Sequence, residues 1–354
     1  MFFRLKDKKS RDIPISFSLH NTCITMILSD LPYARSLGRL LISVPAIICG
    51  CSGETQDASL LTNRYSVKTH HTVKGSPLDI FAFEDDRFRR LDSYQRIDDF
   101  HGTDVSVAST GGEKIFFICA DGQRNRYEWS DIASYHSLKD IYCDLENETH
   151  ERRAMTGECM SSAGDTDVSA ELKPLSCEVV LDAICCDFSG TPYAGAVIRN
   201  VKAYLTNVNA SCPLLSSGES GPARIINAGM LVTSDVGRFR DQSIIVQEIV
   251  PELGKSTVFP HLEFLCYPNS PAEESPGCPF TRLVIEGVIE SDTYYWPVTV
   301  NDGKGLERGC RYVYDIFIRR KGVTDPDLPI VPTFIDIDLK RKPWKEKEEY
   351  TVGF

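Results

Sequence analysis

The strongest constraint in this chain is the stretch 280–322, FTRLVIEGVIESDTYYWPVTVNDGKGLERGCRYVYDIFIRRKG. Three segments in it are dense in β-branched and aromatic residues: 281–286 (TRLVIE), 294–300 (YYWPVTV) and 312–319 (YVYDIFIR). Such residues fit a pleated surface that is buried on one side. Turn residues separate them, first Glu290-Ser291-Asp292-Thr293, then Asn301-Asp302-Gly303-Lys304-Gly305. Gly303 accepts a positive φ without a Cβ clash, so Asp302-Gly303 is a strong turn signal. The expectation is a three-stranded antiparallel meander belonging to a β-sandwich. No catalytic motif interrupts it.

The strand pattern extends along the chain. Residues 65–74, 78–84, 104–109 and 114–120 read as strands, and so do 167–172, 176–188, 200–207, 241–249 and 261–267. In 78–84 (LDIFAFE), Leu78, Ile80 and Ala82 share one face, and Asp79, Phe81 and Phe83 share the other. Residues 85–95 read as a charged loop. Asp85-Asp86 has the look of a carboxylate pair, but Arg87, Arg89 and Arg90 neutralise it and no Asp-x-Asp-x-Asp-Gly loop accompanies it. His70 and His71 are adjacent on a strand, so they face opposite ways and cannot chelate one metal from one face.

One helix is expected. Ser130 or Asp131 can cap it, and Ile132, Tyr135, Leu138, Ile141 and Leu145 recur at helical spacing, so it should lie across one sheet. Pro174 marks a boundary between two domains, 65–173 and 174–354. The tail 333–340 (TFIDIDLK) alternates strictly, with Ile335, Ile337 and Leu339 on one face and Asp336, Asp338 and Lys340 on the other. Residues 349–354 (EYTVGF) can add one more strand.

The N-terminus reads as an export signal. Residues 40–50 (LLISVPAIICG) form a short apolar run after Arg35 and Arg39. The run is too short to span a bilayer and suits a signal-peptide core. A buried helix is the other reading, and Pro45 argues against it. Residues 1–25 are polar for a signal, so the start is expected at Met26, with 1–50 as the extended leader. The run ends in Cys49-Gly50-Cys51, which resembles a bacterial lipobox. Cys51 follows the small Gly50 and is the candidate lipidation site; residues 51–64 then form a polar tether or propeptide.

Charge excludes one class of partner. The chain carries a net charge of −11, and residues 1–50 hold seven Lys/Arg against three Asp/Glu. The remainder therefore stands at 32 − 47 = −15, a surface that repels nucleic acid and anionic lipid. Any membrane link must then be covalent or hydrophobic. Beyond Cys51, the cysteines show no C-x-x-C pair and no zinc spacing. Cys266 and Cys278 flank a Pro-rich loop where a disulfide can form. No G-x-S-x-G elbow, H-E-x-x-H, P-loop or dinucleotide glycine motif occurs. The sequence thus points away from an enzyme and calls for no metal or cofactor.

Several segments, in order, resemble the fimbrillins, subunits of the type V pili of Bacteroidetes-type bacteria. They are 78–95 (LDIFAFEDDRFRRLDSYQ), Met155-Thr156-Gly157, the strand end Cys266-Tyr267-Pro268-Asn269, Leu283–Gly287 (LVIEG), Tyr294-Tyr295, Tyr312-x-Tyr314-x-Ile316 and Gly322. The resemblance covers residues 78–345. It implies an all-β chain of two transthyretin-like β-sandwich domains, with the helix across the N-terminal one. It implies a lipoprotein anchored in the outer membrane through Cys51, then cut near its N-terminus by an Arg-specific protease, with Arg64 the candidate residue. Loss of the first strand would open a groove that an extended segment of another fimbrial subunit fills. Edge-strand completion supplies the physics: main-chain bonds give affinity and alternate side chains give register. The candidate donor residues are Ile335, Ile337 and Leu339, or the terminal Val352 and Phe354. The tail also reads as a last strand of its own domain, which suits a tip or cap subunit. Assembly would serve adhesion to a host or bacterial surface ligand that the sequence does not specify. A surface glycan-binding lipoprotein is the alternative, and its aromatic platform would be Tyr294, Tyr295 and Trp296.

Overall fold

The computed structural model describes residues 63–70, 75–123, 129–215, 222–275, 277–328 and 334–343. All of them fall in one compact unit, Ala58–Phe354. The leader 1–50, Cys51, His71, Val352 and Phe354 lie outside the described residues.

The first half contributes β1 (Asn63–His70), β2 (Ser76–Glu84), β3 (Leu91–Phe100), β4 (Asp104–Ser109), β5 (Lys114–Ala120), β6 (Tyr142–Asp144), β7 (Met155–Ser161), β8 (Asp167–Glu171) and β9 (Lys173–Pro174). The second half contributes β10 (Cys177–Cys186), β11 (Ile198–Thr206), β12 (Val208–Asn209), β13 (Ser211–Pro213), β14 (Ile225–Ile226), β15 (Val246–Leu253), β16 (Leu262–Cys266), β17 (Arg282–Ile289), β18 (Asp292–Thr299), β19 (Cys310–Ile318) and β20 (Ile335–Pro343). The fold is all-β, as read from the sequence.

Two sandwiches follow from the side-chain alternation. In the first, a three-stranded sheet β4-β1-β8 faces a five-stranded sheet β3-β2-β5-β7-β9. Leu78, Ile80 and Ala82 of β2 point into the core between them, together with Phe116 and Ile118 of β5. Phe81, Phe83, Ile115 and Phe117 point the other way, into a second core. All seven residues of β5 are buried, because its sheet is covered on both faces. That explains the unbroken apolar run KIFFICA. In the second sandwich, β16-β10-β19-β20 packs on β15-β11-β17-β18, and its core is continuous with that second cluster.

Three expectations are corrected. The helix is absent: 129–147 instead forms 3₁₀ turns at Trp129–Asp131, Tyr135–Asp140 and Leu145–Asn147 around the short β6. The apolar spacing still works, since Ile132, Tyr135, Leu138, Ile141 and Leu145 are all buried against the five-stranded sheet. Trp129 stacks on Phe81 at 5.2 Å, and Tyr135 meets Phe83 edge-on at 5.7 Å. Pairing of β6 with β13 takes up backbone groups that a helix would have bonded internally.

Second, 91–95 is not loop. It begins β3, an edge strand whose polar residues are tolerated because one side faces water. Its Tyr94 hydroxyl (2.5 Å) and Arg96 guanidinium (2.8 Å) both donate to the fully buried Asp79 carboxylate of β2. The acidic pair ahead of it is a turn, in which Asp86 accepts from the backbone N–H of Phe88 and Arg89.

Third, the meander is broken after its second strand. β17 and β18 form the expected antiparallel hairpin, but β19 joins the opposite sheet, parallel to β10. The connection 300–309 is too long for a hairpin loop, and Asn301, Asp302, Gly303, Gly305 and Gly309 all take positive φ within it. It carries the chain across the roughly 10 Å between packed sheets. Asn301 fastens it, donating its backbone N–H to the Tyr314 hydroxyl at 2.9 Å and its amide to Gly305 O at 2.6 Å. The glycine at 322 has a packing reason: a Cβ there would stand 2.1 Å from Tyr295 O, where Val323 pairs with Tyr295 along the β18 edge.

The two sandwiches are joined by polar contacts around β6 and β13. Arg153 pairs with Glu178, both buried. Arg308 donates to Thr156 O (3.0 Å) and Lys173 O (2.8 Å). Glu148 is buried here, and one of its carboxylate oxygens accepts from the Tyr267 hydroxyl at 2.7 Å while the other has no hydrogen-bond partner. Burial raises its pKa from 4.5 to about 7, against the opposing pull of Tyr267 and Arg153. The folded state therefore favours the protonated acid. Its contribution is full below pH 4.5 and is lost as pH rises through about 7. Glu148→Gln, which keeps the shape without the charge, should remove up to about 3 kcal/mol of that decline. Guanidinium unfolding of both chains between pH 4 and 8 measures it; curves with equal pH slopes contradict it.

Candidate functional site

β1 is the most distinctive strand of the first sandwich. It lies in the middle of its sheet, antiparallel to β4 and parallel to β8. Its side chains alternate: Tyr65, Val67 and Thr69 point inward and are buried, while Arg64, Lys68 and His70 are exposed. Tyr65 packs on Phe116 with ring centroids 5.1 Å apart, and its hydroxyl donates to Gly112 O at 3.0 Å. Val67 is wholly buried among Val105 and Val107 of β4 and Val168 and Ala170 of β8. Main-chain bonds hold both sides, including Ser66 N–H to Thr166 O (2.7 Å) and Thr69 N–H to Thr103 O (2.8 Å). Without β1, the N–H and C=O rows of β4 and β8 would lack partners, above an apolar floor formed by β2 and β5.

The tail has the opposite character. Among the described strands, β20 is the outer one of its sheet and pairs along nine residues with β19 alone, from Cys310↔Pro343 to Ile318↔Ile335. The row predicted from alternation is present. Ile335, Ile337 and Leu339 lie opposite the inward Ile318, Ile316 and Tyr314. Only Ile335 is buried; Ile337 is 42% exposed and Leu339 is half-buried. The outer row is held by ion pairs that solvent weakens, Lys340 to Asp315 and Asp338 and Arg319 to Asp336.

Arg64 is the second residue of β1, opposite Ala108. A cut after it would leave Tyr65–His70 attached and paired, so release of the strand requires a cut between His70 and Ser76. Sequence reasoning identified β1, β4 and β8 as strands but not the pairing that places β1 between the other two. Nothing local in DVSVAS or DVSAE names a partner.

A cleft of about 740 Å³ is lined by Thr156, Glu158, Lys173, Cys212, Glu307 and Arg308 among others, and no histidine among the described residues lines it. Burial pushes the Cys212 thiol up to about 12, the wrong direction for a nucleophile. Among the described residues, no group of three or more His, Cys, Asp or Glu could hold a metal, and no helix is long and apolar enough to cross a membrane. The aromatic platform does not form. Trp296 is buried, its indole N–H donating to Arg320 O at 3.0 Å, and Tyr294 packs toward the same core beside Lys321, with Tyr295 on the opposite face. Cys266 and Cys278 are not bonded to each other.

Solved structures share this architecture. A candidate cell adhesion protein from Bacteroides eggerthii aligns with a TM-score of 0.62 at 14% identity, over 80% of this chain and 96% of its own. Another, from Parabacteroides distasonis, gives 0.60 at 14% identity over 82% and 98%. A fimbrilin from Porphyromonas gingivalis gives 0.57 at 11% identity over 80% and 97%. The chain thus has the fimbrillin fold. No family profile and no curated protein sequence matches it.

The contrast between β1 and β20 has a measurable consequence. Val67→Ala should destabilise the chain by on the order of 2 kcal/mol or more, since the site is closed and leaves a cavity. Ile337→Ala should lose less than about 1 kcal/mol, because much of that side chain is already in water. Chemical denaturation of the two variants decides it, and equal losses refute the asymmetry.

Proposed function

We propose that this chain is a structural subunit of a surface fimbria serving cell adhesion, assembled by strand exchange. β1 is a place-holder: a cut in the 70–76 segment releases it, and the vacated slot between β4 and β8 takes an alternating strand from a neighbouring subunit. The donor is β20, with Ile335, Ile337 and Leu339 replacing Tyr65, Val67 and Thr69. The observation that carries this reading is the pairing asymmetry. The vacated slot would offer two unpaired edges and a closed apolar floor, whereas β20 at home has one neighbour among the described strands and a half-exposed apolar row. Moving the strand from one edge to two exchanges weak burial for strong burial. Such contacts join subunits head to tail and do not close on themselves, so they extend into a filament.

The fold shared with fimbrilin and with candidate adhesion proteins supports this reading. So does the signal-like leader ending at Cys51, where lipidation would hold the precursor at the outer membrane before trimming. Cutting after Arg64 belongs to that trimming and leaves β1 in place. Val352 and Phe354 extend the same tail.

A chain carrying a specific protease site between His70 and Ser76 tests assembly. After cutting, size-exclusion chromatography should show a ladder of oligomers lacking the 63–70 peptide. The same chain ending at 333 should stay monomeric, while one ending at 343 should still polymerise. A cut chain that retains its peptide and remains monomeric refutes the proposal. The anchor has its own test. Cells expressing the full chain and fed labelled palmitate should label it, and Cys51→Ala should abolish the label; label surviving that substitution rules Cys51 out.

A further inference from the structure

We propose that Cys177 and Cys266 form a disulfide across the β10–β16 pair. The two residues are direct register partners in antiparallel strands. Directly opposed positions hold their Cα atoms about 4.5 or 5.5 Å apart, depending on the hydrogen-bonding site, and both spacings lie within the disulfide range. The side chains face the same side, and the two sulfurs are 3.8 Å apart. Rotation about the two Cα–Cβ bonds is the movement that closes the remaining gap. Among the described residues neither thiol belongs to a metal-binding cluster; the Cys177 thiol lies 3.2 Å from Cys266 O, to which it can donate, and beside the Cys266 sulfur. Cys278, the partner suggested by the Pro-rich loop, lies on that loop beside Asn269 instead.

Both side chains are fully buried, and burial pushes the Cys177 thiol well above its ordinary range. The folded thiols are therefore poor nucleophiles, and the bond forms while β10 and β16 pair during folding. The step needs a disulfide donor such as oxidised glutathione. One cysteine thiolate attacks the donor's S–S bond and releases one glutathione thiolate. The second cysteine thiolate attacks the protein sulfur of that mixed disulfide and releases the other. Two electrons pass to glutathione, and the two cysteine protons go to solvent.

The cysteines are 89 positions apart, so the cross-link closes a long loop and restricts the unfolded chain strongly. It also ties together the two strands of the sheet beyond β19 and β20. If β20 leaves for a neighbour, a consequence that rests on the proposed assembly, the sheet it leaves stays joined. The cross-link itself is independent of assembly.

The full chain, unfolded in guanidinium with reductant, is refolded with either a glutathione redox buffer or dithiothreitol. Free thiols are then alkylated and the chain digested without reduction. The glutathione sample should yield the Cys177 peptide joined to the Cys266 peptide. Cys266→Ala should abolish the link and Cys278→Ala should leave it. The oxidised chain should unfold at a higher guanidinium midpoint than the reduced one, a difference lost in the double variant Cys177→Ala with Cys266→Ala. Natively purified chain, unfolded directly in alkylating agent without reductant, reads any link formed during folding in the cell. Alkylated Cys177 and Cys266 in both preparations, or Cys266 joined to Cys278, overturns the proposal.

Discussion

Burial of the five-stranded sheet on both faces is the constraint from which the rest of the structure follows. A sheet covered twice must be apolar twice, and β2 and β5 meet that requirement with Leu78, Ile80, Phe116 and Ile118 on one side and Phe81, Phe83, Ile115 and Phe117 on the other. One face needs a lid, and β4-β1-β8 is that lid. The other face needs the 3₁₀ segment and, through it, the second sandwich. Even the polar exceptions conform: Lys114 is fully buried at the end of β5 but bonded to Glu84 at 2.9 Å and to Thr110.

The contacts between the sandwiches are of a different kind. Arg153 with Glu178, Tyr267 with Glu148 and Arg308 with backbone oxygens are directional and mostly buried. Breaking a buried pair strands a charge, so these contacts fix geometry more than they add stability. The sandwiches are thereby tied in one arrangement, with β1 and β20 the first and last of the described strands.

Those ends differ in how firmly the sheets hold them. β1 is paired on both sides over a closed floor, while β20 is paired on one side over an open one. Both present an apolar row on alternate residues, so both can occupy the same kind of slot. On the assembly proposed above, main-chain hydrogen bonds and burial carry the function.

The sequence by itself determined what depends on near neighbours. Period-two alternation located most of the long strands, though not β3 or β7, together with the two faces of 78–84 and the apolar row of the tail, because successive side chains on a strand must point opposite ways. The tertiary structure decided what depends on partners far along the chain. Apolar residues at helical spacing became 3₁₀ turns because β13 offered β6 a better use for its backbone. β19 crossed to the opposite sheet because its preceding loop was long and rich in positive φ. Cys266 came to face Cys177 rather than Cys278, and Arg64 fell inside β1 rather than ahead of it. Pairing between strands is a choice among edges that look alike in sequence, and only the packed cores distinguish them.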